Sequence, residues 1–193
     1  MTTMEPKKPC EREHDFTLVL DGVPQLDRKV MDALYEAGCD DATPSIRSGR
    51  MFLTFSRNAI LISEAILSAI SDVHKAKIGA EILRVDDCNL VTQSEIGHRS
   101  RRSRQQIHQY ITGERGPGNF PPPACNINDN HSLWYWCEVA NWLYENNLIK
   151  EEILRDAEEV AFINSYLEME FQRKRHPELA KEFFESICEP CGA

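Results

Sequence analysis

The feature that most limits the possible folds of this chain is the order of three consecutive segments. Two short segments each begin with a helix-capping hydroxyl residue, and the third segment cannot be helical. Thr92 precedes the first segment and has Glu95 three positions later, which is the capping-box spacing. Ser103 precedes the second segment, whose apolar residues recur at helical spacing. Residues 113–123 are rich in glycine and proline and must turn. The expected inward-facing residues of the second helix are Ile107, Tyr110 and Ile111.

The outward face of the second helix, predicted over residues 103–112, carries groups that can recognise DNA. A helix fits the major groove, where arginine and amide side chains form paired hydrogen bonds with guanine and adenine. Residues 92–115 contain five arginines and two glutamates, although the whole chain has a net charge of −9. A basic segment in an acidic chain indicates a surface for a polyanion. The expected contacts from this helix and its cap are Arg102, Ser103, Arg104, Gln105, Gln106 and Gln109.

Other arginines flank this helix and extend the predicted DNA surface. We expect Arg99 and Arg101 to hold backbone phosphates, and Arg115, with the turn at residues 116–119, to reach the neighbouring groove or backbone. The alternative is an arginine-rich helix that is simply solvated, because short helix-turn-helix patterns also arise by accident.

An aromatic strand and a further helix complete this region. Residues 133–136 alternate as a strand does, which would place Trp134 and Trp136 on one face. From Glu138 the pattern becomes helical. The expected inward-facing residues of that helix are Val139, Trp142 and Leu143.

The order of these motifs resembles the winged helix-turn-helix of MerR-like and excisionase-like bacterial regulators over residues 90–143. The residues that carry the resemblance are Glu95, Ile96, Arg99, residues 102–104, Ile107, residues 113–118, Phe120, Pro121, Leu133, Trp134, Trp136, residues 138–140, Trp142 and Leu143. The resemblance implies a transcription regulator that binds double-stranded DNA, with the Gly-Pro segment as its wing. The chain departs from the pattern at Gly97, where alanine is usual, and at Arg101, where a turn glycine is usual. Arg101 is therefore expected to have a left-handed backbone.

The region before this module has the element order βαββαβ, which is typical of ferredoxin-like sandwiches. The predicted strands are residues 16–20, 45–47, 51–55 and 80–85, and the predicted helices are residues 26–37 and 62–75. The fold class is therefore α+β: a ferredoxin-like domain at residues 14–87 after a flexible terminus at 1–13, a winged helix-turn-helix at 88–146 and an acidic helical tail at 147–193.

The tail contains a heptad pattern that has two interpretations. Apolar residues recur every seven positions, with Asn164 as the polar member, which is typical of a coiled-coil seam. The seam predicts either a homodimer, as helix-turn-helix regulators binding two half-sites often form, or docking on the chain's own domain. The seam residues are Ile153, Ala157, Val160, Asn164, Leu167 and Phe171. The last helix has an apolar face that needs a cover from its own domain, a second subunit or a different protein.

The remaining sequence excludes several classes of protein. No apolar run is long enough to cross a membrane and the start has no hydrophobic signal core, so we expect a cytoplasmic protein with reduced cysteines. No nucleophile–base pair, phosphate loop or paired-carboxylate motif appears, so we expect neither an enzyme nor a cofactor. Cys188 and Cys191 form the only CxxC motif, and one such pair supplies half of a zinc site, so no metal is expected.

The main alternative function is a protein-interaction module, such as an antitoxin or defence-system component, whose DNA-binding domain serves autoregulation.

Overall fold

A computed structural model describes residues 11–86, 89–126 and 132–188 and has a mixed α+β architecture. The elements of its first half are β1 (Arg12–Asp21), α1 (Arg28–Glu36), β2 (Ala42–Arg47), β3 (Arg50–Ala59), α2 (Ile62–Ala76) and β4 (Glu81–Val85). Those of the second half are β5 (Leu90–Val91), α3 (Gln93–Arg99), α4 (Arg104–Ile111), β6 (Cys125–Asn126), β7 (Ser132–Tyr135), α5 (Trp136–Glu145), α6 (Glu151–Arg175) and α7 (Pro177–Cys188). None of the described helices has a stretch apolar and long enough to cross a bilayer.

The chain divides into two compact units, and the predicted helical tail is shared between them. One unit contains Asn58–Ala65 and the described part of Asp87–Ala161. The other contains Glu13–Arg57, Ile66–Asp86 and the described part of Phe162–Ala193. The first half of α6 thus belongs with the predicted DNA-binding region, and the second half belongs with the N-terminal sheet.

The N-terminal sheet has four strands in the order β2-β3-β1-β4. β2 pairs antiparallel with β3, and β1 pairs antiparallel with β4. The turn between β2 and β3 consists of Ser48 and Gly49, whose φ angles are 50° and 78°. Two-residue hairpin turns need this positive φ, so the predicted hairpin at this position is confirmed. The alternate residues of the central strands that are buried are Phe16, Leu18, Leu20, Met51, Leu53 and Phe55.

Both edge strands of this sheet carry a feature that blocks further pairing. Pro44 lies in β2 and has no backbone N–H to offer. At the other edge, the side chain of Asn164 in α6 pairs with the backbone of Val85 in β4. Asn164 is only 9% exposed.

The burial of Asn164 decides between the two interpretations of the heptad seam. Ala157 and Val160 are 5% and 3% exposed in the single chain, and the other seam residues are at least half-buried. The seam therefore packs within its own chain, and the prediction of a dimer through this seam is wrong. A helix stripe that docks on its own fold and one that docks on a second copy have the same apolar spacing, so the pattern alone could not separate them.

An ion cluster near the end of β3 joins this strand to α2 and to the turn before β2, all in the same unit. The Arg57 guanidinium donates to Asp41 at 2.7 Å and to Asp72 at 2.9 Å. Burial alone would raise the pKa of Asp72, but hydrogen bonds from Lys75 and Arg57 outweigh it and hold that pKa below its ordinary value.

The unit that contains the predicted DNA-binding region has a core of apolar residues from α3, α4, α5 and the start of α6. Ile107 and Tyr110 are buried as helical spacing predicted, and Ile111 is partly buried against the same core. Ile96 of α3 is buried there as well. β7 pairs antiparallel with β5 on one side and β6 on the other. Trp134 and Trp136 are both buried, although Trp136 begins α5 instead of ending the strand.

The predicted position of a Gly-Pro wing is wrong. Residues 113–118 form turns with no strand, and the antiparallel pair in this region is formed by β6 and β7. The turn segment packs on the core instead: the Trp142 indole N–H donates to the Gly118 carbonyl at 3.0 Å, and the Trp134 indole donates to the Pro121 carbonyl at 3.1 Å. Gly116 lies so close to the Tyr110 ring that an added Cβ would approach it within 3.1 Å.

Candidate nucleic-acid interface

The two helices α3 and α4 begin at the residues that the sequence predicted. The Thr92 hydroxyl accepts the Glu95 backbone N–H at 3.2 Å, and the Ser103 hydroxyl accepts that of Gln106 at 3.1 Å. Each cap satisfies a backbone donor that the first helical turn cannot pair internally. Both caps lie next to the predicted DNA surface and fix where each helix starts.

The turn between α3 and α4 is tight and depends on Gly97. The Arg102 backbone N–H donates to the Gly97 carbonyl at 2.7 Å. A Cβ added at Gly97 would lie 2.8 Å from the Arg102 carbonyl oxygen, which is closer than real Cβ atoms approach. Gly97 therefore lets the chain close this turn, which explains the departure from alanine.

Arg101 occupies the left-handed conformation predicted for it, with φ 54°. Such a backbone is strained for a residue with a Cβ, by roughly 1–2 kcal/mol. The Arg101 side chain is exposed. The residue with the strained backbone therefore also presents an accessible positive charge at the turn.

One set of predicted contact residues is exposed to solvent. The exposed members are Arg101, Ser103, Arg104, Gln105 and Arg115. In the part of the chain that the structure describes, no ion pair involves Arg101, Arg104 or Arg115. These three guanidinium groups remain available for an anionic partner.

A second set of predicted contact residues is engaged inside the protein. The Arg99 side chain is 15% exposed, donates to Glu95 at 3.1 Å and lies over the Trp136 ring at 5.4 Å. The Arg102 guanidinium donates to the Ser100 carbonyl at 3.0 Å, and its Nε is buried. A phosphate contact by either arginine would have to compete with these interactions.

The glutamines of α4 also differ in their availability. Gln106 is half-buried, and its amide donates to the Tyr110 hydroxyl at 3.2 Å. Gln109 is half-buried as well, whereas Gln105 is exposed. His108, which helical spacing assigns to the outer face but which was not among the expected DNA contacts, is also exposed on α4. It lies one helical turn from Arg104.

A groove of about 830 Å³ lies beside the exposed face of α4. It is lined by Thr92, Gln93, Ser94, Arg104, Gln105, His108, Ile111, Pro123, Ser132 and Trp134. Its polar groups are hydroxyls, amides, one imidazole and one guanidinium, which can donate to phosphate oxygens or to base edges. Among the described residues that line the groove, Arg104 is the only arginine, and no lysine, aspartate or glutamate accompanies it.

Among the described residues, no group of three histidine, cysteine or acidic side chains is arranged to hold a metal ion. The side chain of Cys188 and all of Cys191 lie outside the described residues. Of the cysteines that the structure describes, Cys39 is buried, and burial raises its thiol pKa to about 11.

Comparison of the chain with protein-family models, with curated proteins and with solved structures finds no match. The functional reading therefore depends on the geometry of this surface.

Proposed function

We propose that the chain is a transcription regulator that binds double-stranded DNA with helix α4 in the major groove. The observation that carries the proposal is the exposed face of α4, on which Arg104, Gln105 and His108 lie beside a groove and above a buried aromatic core. Arginine and glutamine are the side chains best suited to guanine and adenine edges in that groove.

The proposal includes a winged helix-turn-helix in which β6 and β7 form the wing. Two capped helices joined by a tight turn, followed by an antiparallel strand pair, support this arrangement. The strand order β2-β3-β1-β4 likewise supports a ferredoxin-like sandwich for the N-terminal unit. We place the protein in the cytoplasm, where a regulator of this kind meets DNA.

Within this proposal the exposed side chains have different roles. Arg101 and Arg115 hold phosphates, because they are exposed in the segments that precede and follow α4. Arg104, Gln105 and Ser103 contact the bases or the backbone nearest to them. Arg99 and Arg102 mainly position the helix pair, since both are engaged inside the protein.

A salt series of binding to random genomic duplex DNA tests the proposal. Each phosphate contact adds about −0.9 to the slope of log K against log salt, so replacing Arg101 and Arg104 by alanine should make the slope shallower by up to about 1.8. The matched control replaces Arg28 and Arg50, two exposed arginines of the other unit, and changes net charge equally. Its slope should equal that of the wild type.

Two results would overturn the proposal. The first is the absence of wild-type binding at low salt. The second is an equal change of slope in the control variant, because the effect would then reflect net charge instead of contacts at α4. Arg104→Ala should also reduce discrimination for a selected preferred duplex by roughly 10–100-fold.

A second candidate function is a protein-interaction module, such as an antitoxin or defence-system component that regulates its own expression. The observation that favours it is the exposure of Phe184 and Ile187 on α7, by 67% and 78%. A stable complex with a different protein, formed by a chain that does not associate with itself, would support this function.

A further inference from the structure

A stripe of apolar side chains runs along the outward face of α6. Phe162, Tyr166 and Met169 are 78%, 54% and 55% exposed. They are spaced by four and then three residues, which places them on one helix face. α7 extends the apolar surface with Phe183, Phe184 and Ile187, which are 55%, 67% and 78% exposed. Contiguous exposed apolar surface of this kind marks an interaction site.

We infer that this outer stripe, defined as Phe162, Tyr166, Met169, Phe183, Phe184 and Ile187, is the contact between two copies of the chain. The inner seam of α6 is already occupied by the chain's own packing, with Val160 and Asn164 buried. The face of α6 that is left open to a second copy is therefore the opposite one. The inference goes beyond the DNA-binding proposal and does not depend on it.

The outer stripe has an exposed aromatic ring and a groove at different positions along α6. Phe162 is 78% exposed, and a groove of about 840 Å³, lined in part by Met169, Phe183 and Ile187, opens further along the helix. Phe162 and Met169 are about 10 Å apart along the helix axis at 1.5 Å per residue. Two antiparallel α6 helices can place each Phe162 against the groove of the other copy. The two-fold axis then passes beside Tyr166, which meets its own counterpart.

The charges at the groove also allow contact with an identical surface. Glu170 and Arg173 form an ion pair at 2.8 Å, and Lys181 lines the groove on α7. Because both signs are present, two copies can approach without the repulsion of a uniformly charged rim. A two-fold contact requires such a self-complementary patch.

The area is sufficient for a stable dimer. A buried aromatic side chain covers about 150–250 Å², and four members of the stripe are aromatic and more than half exposed. Covering the stripe and its immediate neighbours removes on the order of 600 Å² from each copy, or about 1,200 Å² in total, which exceeds the roughly 1,000 Å² total of a specific interface.

Sedimentation equilibrium in the absence of DNA tests the inference. The wild type should have twice the 22.2 kDa chain mass, whereas Phe162→Asp and Tyr166→Asp should have the mass of one chain. Tyr35→Asp is the matched control, because Tyr35 is an aromatic residue of α1, 69% exposed and in the same unit. It should remain a dimer, and circular dichroism should show that all variants are folded.

A cross-link tests the position of the two-fold axis. Tyr166→Cys should form a covalent dimer under mild oxidation, with the 166–166 peptide found by mass spectrometry, and Tyr35→Cys should not. A wild type that stays monomeric at all concentrations would overturn the inference and leave the stripe to a different protein. Unchanged dimerisation of both aspartate variants would overturn it equally.

These outcomes are distinguishable from failure of the DNA-binding proposal. The Arg101→Ala/Arg104→Ala variant should remain dimeric, because neither residue lies in the stripe. A chain that binds DNA as a monomer would contradict only the inference of the dimer contact. A dimer that binds no DNA would contradict only the DNA-binding proposal.

Discussion

The side-chain amide of Asn164 pairs with both backbone groups of Val85. Its Oδ1 accepts the Val85 N–H at 2.8 Å, and its Nδ2 donates to the Val85 carbonyl at 3.2 Å. A single helix side chain therefore makes the two hydrogen bonds that a neighbouring strand would otherwise provide to β4.

Asn164→Ala should destabilise the protein by about 1–3 kcal/mol, because it leaves a buried donor and a buried acceptor without their partner. Chemical denaturation measures this change in the free energy of unfolding. Gln172→Ala is the control, since Gln172 lies on an exposed face of the same helix. Equal denaturation midpoints for the two variants would contradict the prediction.

Acid should destabilise the N-terminal unit through Asp72. Its pKa in the folded protein lies below the ordinary value of 3.8, because hydrogen bonds from Lys75 and Arg57 outweigh the effect of burial. A carboxyl group whose pKa is lower in the folded than in the unfolded protein stabilises the fold. This stabilisation is complete above the pKa of the unfolded state and is lost as the pH falls through the pKa of the folded state. Asp72→Asn should therefore lower stability near neutral pH and flatten its decline below about pH 4. A decline of equal steepness in both proteins would exclude Asp72 as its source.

Gly97→Ala has two opposing effects on the free energy of unfolding, and the sign of the measured change shows which one is larger. Helix propensity alone favours alanine over glycine by about 1 kcal/mol in a helix interior. The added Cβ would, however, lie 2.8 Å from the Arg102 backbone oxygen, which cannot move without opening the turn. We expect a net loss of about 1–3 kcal/mol, the range for overpacking. A stabilised Gly97→Ala protein in thermal unfolding would show that the turn can relax.

Arg101→Gly should change stability and DNA binding in opposite directions. Glycine removes the strain of φ 54°, so stability should rise by up to about 1 kcal/mol. Loss of the guanidinium should weaken DNA binding and make the salt dependence shallower by about 0.9. Arg101→Lys is the control, because it keeps the charge and should keep the salt slope. Loss of binding by both variants would assign the effect to the guanidinium group of Arg101 instead of to its charge alone.

The features that the sequence predicted correctly are local. The caps at Thr92 and Ser103, the turn at Ser48 and Gly49 and the left-handed Arg101 each depend on residues within one helical turn. Hydroxyl caps and positive-φ turns use interactions between near neighbours, so a short segment determines them.

The features that were missed depend on residues far apart in the chain. The bond between Trp142 and Gly118 holds the Gly-Pro segment on the core, and nothing within that segment distinguishes it from a wing. β6 has two residues, too few to show an alternating pattern. The contact of Arg99 with Trp136 likewise appears only when α3 and α5 are in place.

The two blocked edges of the N-terminal sheet limit how this protein can aggregate. An open edge strand offers unpaired backbone groups to any other extended chain, which is the first step toward fibrils. Here Pro44 at one edge and the Asn164 amide at the other remove part of that template. Partial loosening of α6 would expose Val85 again. Fibril formation, followed by thioflavin fluorescence, should therefore begin under conditions that detach this helix while the sheet itself persists.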